Sequence, residues 1–351
     1  MKLGILTFSK AINYGAALQA TALRKVLLNQ AEKVCFLDYS CKAIDSASKI
    51  FDITKLLDLK YTIAHLYNMP EAVKRKRNFS NYWKKHFDFG TADPQEYDTI
   101  IVGSDQVWNY ELTNDDFFYF LDFRKSNVKK VSYAASFGLS QIDKVHADSI
   151  VPLLNDFDYL SVREKQAVKI IKENANVDVP VVCDPTLLLD KCEWEKVIDK
   201  KSKDSGFIFV YTIFNSEKIW EYAKELSKKT GLPIKTISYS KFYKREAIYD
   251  YTAGPDDWLN YMLDADYVVT NSFHGIAFSI NFNKNFFFDM PPAKAGVGSR
   301  ISDITERYSL SERNISSENF ITTTNAPDFS VANELLEEDR KISFEFIDSF
   351  L

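Results

Sequence analysis

The sequence predicts an α/β protein of two Rossmann-like lobes facing a cleft, and three observations carry that expectation. Short apolar runs rich in β-branched residues alternate with stretches of helical spacing, and this β-α-β order starts afresh near the middle of the chain. The third is length, since 351 residues are more than twice the usual domain size of ~150. Either half can therefore bury a proper core. A hydrophobic share of 46%, with 27 Phe and 19 Tyr, indicates a packed globular chain. A net charge of -5 argues against a general nucleic-acid binder, because phosphate backbones select basic faces.

Cys35, Cys41, Cys183 and Cys192 have no CxxC or Cys/His spacing suited to zinc, so buried free thiols and no metal are expected. The apolar run Leu3 to Phe8 is too short for a signal peptide, and no stretch of ~20 apolar residues would span a membrane. A reducing, cytoplasmic setting follows as the expectation.

Taken in order, Leu3 to Phe8 reads as a strand, Ser9 to Gly15 as a loop, and Ala16 to Leu28 as a helix with Leu18, Ala22 and Val26 on one stripe. Val34 to Asp38 gives the next strand. This opening lacks GxGxxG, which disfavours a nicotinamide dehydrogenase. The loop from Lys10 to Gly15 either offers an amine, an amide and backbone donors to an anion or sugar, or is only a turn. Residues 42 to about 90 read as a helical, irregular insertion. Its run Lys74-Arg75-Lys76-Arg77, followed by Tyr82, Trp83, Lys84 and Lys85, is either a solvated helix face or a contact for an anionic membrane surface or a diphosphate-bearing acceptor.

Tyr97 to Val102 is a strand ending in Gly103-Ser104-Asp105-Gln106, at a point where an α/β sheet exposes polar side chains to its crevice. Asp105 is then either a proton acceptor for a sugar hydroxyl, or an N-cap or hydrogen-bond partner for a loop. Lys130 to Ala135 is another strand, and a helix runs from about Ser140 to Asn155. Tyr159 to Glu164 is strand-then-helix with Arg163 at the junction, where a guanidinium holds an anion or pairs with Glu164 or another acid. The first lobe is expected to span residues 1–175, the second 176–325, and a helical tail 326–351.

In the second half, Gly206 to Ile213 and Ile234 to Ser238 read as strands flanking a helix from Ser216 to Lys229. Tyr239 to Ala253 is polar and reads as a mobile loop. Gly254-Pro255-Asp256-Asp257 opens a helix leading to the strand Tyr267 to Thr270. Ser272 is placed to cap the following helix, which puts His274 in its first turn, where free N–H groups and the helix dipole favour an anion. The alternative is a hydrogen-bonded turn histidine. After a strand near Phe286, Gly296 to Arg300 reads as a flexible loop presenting a base, and Val331 to Phe350 as helix.

Six pieces of the chain carry a resemblance: Asn13-Tyr14-Gly15-Ala16-Ala17-Leu18-Gln19-Ala20, Val102 to Asn109, Ser132 to Gly138, Ser161-Val162-Arg163-Glu164, Cys183-Asp184-Pro185-Thr186 and Thr270-Asn271-Ser272-Phe273-His274-Gly275. Together, over roughly residues 3 to 310, they resemble the polysaccharide pyruvyl transferase family. The resemblance implies a fold similar to that of the type-B glycosyltransferases. It also implies phosphoenolpyruvate as co-substrate with no further cofactor, and transfer of pyruvate as a ketal to a free or lipid-linked sugar acceptor of an exopolysaccharide or capsule. His274 would contact the donor as the acid, and an arginine in the region of Arg163 would help bind it.

Many members carry Arg-Leu-His where this chain has Ser272-Phe273-His274. A donor-binding arginine is thus missing, and Arg300 is the expected replacement, ahead of Lys10 and Lys284. With the residue reading above, His274 and Asp105 are the expected catalytic pair. Arg163, Ser272, Phe273, His274 and Arg300 form the expected donor set, and Asn13, Tyr14, Asp105 and Gln106 the acceptor set. Two rivals remain: a nucleotide-sugar-dependent glycosyltransferase on the same scaffold, and a two-lobed solute-binding protein without chemistry.

Overall fold

A computed structural model describes residues 1–47, 59–123, 127–198, 205–242, 245–292, 298–318, 320 and 323–351. The first half supplies β1 (Lys2–Leu6), α1 (Tyr14–Leu27), β2 (Lys33–Phe36), α2 (Lys42–Ala47), α3 (Leu59–His86), β3 (Thr99–Val102), α4 (Tyr110–Thr113), β4 (Lys129–Ser132), α5 (Lys144–Leu154) and α6 (Lys165–Ala175). After α7 (Lys191–Val197) the second half supplies β5 (Ile208–Tyr211), α8 (Glu217–Thr230), β6 (Ile234–Ile237), β7 (Ile248–Asp250), α9 (Pro255–Asp264), β8 (Tyr267–Thr270), α10 (Phe273–Asn281), β9 (Asn285–Phe288), α11 (Gly298–Arg307) and α12 (Ser330–Phe350).

Every residue of β3 and of β5 is buried, as expected for strands of a parallel sheet covered on both faces. The strands form two such sheets, ordered β2-β1-β3-β4 and β7-β6-β5-β8-β9, with every pairing parallel. One apolar cluster runs through both lobes. At its centre Tyr14 and Phe79 from the first half pack with Tyr211 and Trp258 from the second.

Several expectations are corrected. Tyr159 and Val162 join the first sheet only through single bridges, and Val181 in turn bridges to Val162. Since Val182 N–H donates to the Val162 carbonyl at 2.9 Å, the first sheet reaches past the division expected at 175. Tyr239 to Ala253 contains β7, paired along β6, because Ile248 to Asp250 is itself a good edge strand.

The insertion is mainly α3, whose Asn78 and Arg75 donate to the carbonyls of Thr252 and Tyr251, fastening it to the second lobe; residues 48–58 lie outside those described. Arg300 is not on a loop but in the first turn of α11, with Gly296 outside the described residues. Three cysteines are buried, and Cys192 is exposed. Finally, α12 crosses both lobes. Its Ser343 accepts from the Cys183 N–H of the first, and its Arg340 donates to Asn281 of the second.

Candidate active site

Two strand-turn-helix junctions, one from each lobe, meet in the cleft. In the second lobe Ser272 caps α10, its Oγ accepting from the Gly275 N–H at 3.3 Å, which sets His274 in the first turn as expected. The imidazole lies flat against α1 of the first lobe. A Cβ on Gly15 would stand 2.0 Å from His274 Nδ1, so only glycine admits the ring there. In the first lobe Arg163 leads into α6, and its guanidinium rests on the Phe273 ring at 4.5 Å.

Asp184, to which the sequence assigned no role, ties the junctions together. Its Oδ2 accepts from Arg163 Nη1 at 2.9 Å and from Ser104 Oγ at 2.9 Å, and lies 3.8 Å from His274 Nε2. Its other oxygen accepts from the Thr186 N–H and hydroxyl. Burial alone would raise this carboxyl, but His274, Arg163 and the Thr186 bonds outweigh it and leave the pKa at about 2. Asp184 is therefore a fixed anion. Glu164, the partner weighed for Arg163, accepts from Ser136 Oγ at 2.7 Å, while its second oxygen sits 3.5 Å from Arg163 Nε without a hydrogen bond. Burial pushes its carboxyl up, with Arg163 and Arg300 opposing.

Arg163 keeps its charge, since Asp184, Glu164 and Asp105 overcome its burial. Arg300 is lowered to about 10, by burial first and then by Arg163, and stays protonated at neutral pH. His274 is lowered below its ordinary value by burial, Asp184 and Asp105 opposing, so the resting imidazole is neutral. The result is a set of buried groups without hydrogen-bond partners among the described residues: His274 Nε2, Arg163 Nε and Nη2, and Arg300 Nε. Buried polar atoms are normally satisfied, and leaving one open costs ~1–3 kcal/mol. The open nitrogens of Arg163 and Arg300 border one cavity and suit an anionic ligand, beside the equally open Glu164 Oε2. A cavity of about 360 Å³ reaches Arg163, Asp184, Phe273 and Arg300; His274 is not in its wall.

Asp105 faces the same cluster. Its φ of 82° is uncommon outside glycine, and its Oδ1 accepts from the Gln106 N–H at 2.9 Å. The remaining expected acceptor groups are occupied by the fold. Tyr14 is fully buried, and its hydroxyl donates to the Ala253 carbonyl at 3.0 Å. Asn13 caps α1 by accepting from the Ala16 N–H, and Gln106 Oε1 accepts from Asn109. Of the substitutes weighed for the missing arginine, Lys10 pairs with Asp38, and Lys284 donates to the carbonyls of Leu263 and Ala265. Only Arg300 of the three stands beside Arg163. Asp184 also caps the turn that follows it, a local role that gives no sign of its contacts with Arg163 and Ser104.

A family model described as polysaccharide pyruvyl transferase matches residues 13–288. No curated protein matches the chain significantly. Among solved structures, S. aureus MnaA with UDP aligns at a TM-score of 0.50 and 14% identity, over 99% of this chain and 90% of that one. The UDP-GlcNAc 2-epimerase from Neisseria meningitidis bound to UDP-GlcNAc aligns at 0.44 and 10% identity, over 99% and 100%. E. coli heptosyltransferase WaaC with ADP-2-deoxy-2-fluoro heptose aligns at 0.39 and 11%, over 83% and 89%. The likeness to MnaA concerns fold alone.

Proposed function

Since the chain belongs to the polysaccharide pyruvyl transferase family, we propose that it draws pyruvate from phosphoenolpyruvate and fixes it as a ketal across two hydroxyls of a sugar acceptor. The supporting observation is the group of open nitrogens on His274, Arg163 and Arg300. A donor bearing a phosphate and a carboxylate offers oxygens to all of them, and each charge-assisted bond is worth roughly 1.5–3 kcal/mol.

Catalysis under this reading begins when the donor's negative charge raises the His274 pKa, so that the ring takes up a proton. His274 then protonates the enol methylene, and the first sugar hydroxyl attacks the central carbon. Asp105 is the base assigned to that hydroxyl. Asp105 passes the proton it has taken to the phosphate, which leaves as its bond to the central carbon breaks. The second hydroxyl closes the ring, and its proton restores His274. Asp184 holds Arg163 in place and steadies the imidazolium from 3.8 Å.

The test is mass spectrometry of free or lipid-linked sugars incubated with phosphoenolpyruvate, looking for the pyruvyl mass gain, with His274→Ala as control. A second reading, a nucleotide-sugar-dependent glycosyltransferase, is favoured by the fold shared with S. aureus MnaA, whose structure holds UDP. Thermal stabilisation by a uridine diphosphate sugar but not by phosphoenolpyruvate would favour that second reading.

A further inference from the structure

The helix α3 carries seven Lys or Arg against the single acid Glu71, in a chain whose net charge is -5. Glu71 is itself paired with Lys241. Arg75, from the middle of the basic run, turns inward to the Tyr251 carbonyl and the Tyr239 ring. Lys74, Arg77 and Lys84 stay exposed at spacings of three and seven, on one face of the helix. That face continues toward the helix N-terminus as apolar side chains: Ile63, Leu66, Tyr67 and Val73 are each more than half exposed. Phe242 of the second lobe, 54% exposed, joins them against Tyr67 at 5.2 Å.

Single exposed apolar residues are ordinary, but an apolar patch built from two elements and continued by a basic row marks a contact surface. No described residue of this outward row is acidic. Apolar side chains beside several cations match an anionic lipid surface, where rings and aliphatics enter the headgroup boundary and Lys and Arg meet the phosphates. We propose that this face of α3 docks the protein peripherally on an anionic bilayer. No described helix is long and apolar enough to cross one, so the contact is superficial. It does not depend on the reaction assigned to the cleft.

Co-sedimentation of the full chain with vesicles of phosphatidylcholine alone, or with phosphatidylglycerol added, tests the proposal. Partitioning is expected onto the anionic vesicles only, and it should fall steeply with salt. Each cation near such a surface is worth roughly a fivefold change, so K74Q/R77Q/K84Q should bind about 100-fold more weakly. Leu66→Ser should also weaken binding. All these side chains are exposed, and an unchanged melting temperature shows that the variants fold. Equal binding to neutral vesicles, no binding at low salt, or a concentration-dependent dimer broken by Leu66→Ser would overturn the proposal; the last would make the face a contact between copies.

Discussion

Tyr14 and His274 both lie buried where the lobes meet, and Gly15, next to the tyrosine in the chain, packs against the imidazole, yet they differ in what their polar atoms find. The Tyr14 hydroxyl has the Ala253 carbonyl and its ring has Phe79, Tyr211 and Trp258. His274 Nε2 has no hydrogen bond among the described residues, and neither do Arg163 Nε and Nη2 or Arg300 Nε. Burial is common to both residues. Satisfaction separates the one that holds the lobes together from the ones that the proposed function assigns to the donor.

The strongest way to break the comparison is His274→Gln. Loss of the acid should lower pyruvyl transfer by ~10²–10⁴-fold, with the melting temperature nearly unchanged. If it melted as early as a core variant, the imidazole would be structural. Gly15→Ala comes next. Its new methyl must displace the ring by an ångström or more, which should cost about 100-fold in turnover. Circular dichroism would confirm that α1 persists.

Arg300→Ala should weaken donor binding by ~1.5–3 kcal/mol, the worth of one charge-assisted hydrogen bond, read by calorimetry. Unchanged affinity would remove Arg300 as the substitute for the missing arginine. Tyr14→Phe is the converse case: it leaves the buried Ala253 carbonyl open and should cost ~1–3 kcal/mol of stability while sparing the chemical step.

Smallest is the pH effect. Burial holds His274 below 6.5, so the unfolded chain binds the proton more readily. This contribution to stability is therefore complete above 6.5 and is lost as pH falls below it. His86, pushed down to about 4 by burial, adds to the same slope between 6.5 and about 4. His274→Gln should flatten part of the decline. The donor should reverse the sign at the site: proton uptake on binding and affinity falling as pH rises, both measured by calorimetry in buffers of different ionisation heat.

Much of the scaffold was readable in local patterns. The apolar runs became parallel strands, Ser272 capped α10 and placed His274, and the basic run lay on a helix. These are short-range matters, decided by spacing, capping and side-chain polarity over a few residues. The expected acceptor set fared differently. Asn13 and Gln106 serve their own turns and Tyr14 the lobe contact, because a polar residue at a strand end looks alike whether it faces a cleft or its neighbours.

What the sequence determined by itself was the class of fold, the restart of β-α-β order and the histidine at a helix opening. Tertiary structure alone decided that Asp184 meets Ser104 across 80 positions, that Tyr14 is satisfied from 239 positions away, and that Arg300 rides a helix beside Arg163. The reason is physical. Helix and strand patterns follow from neighbouring residues, whereas the charge state of a buried group depends on which distant groups replace the water it has lost.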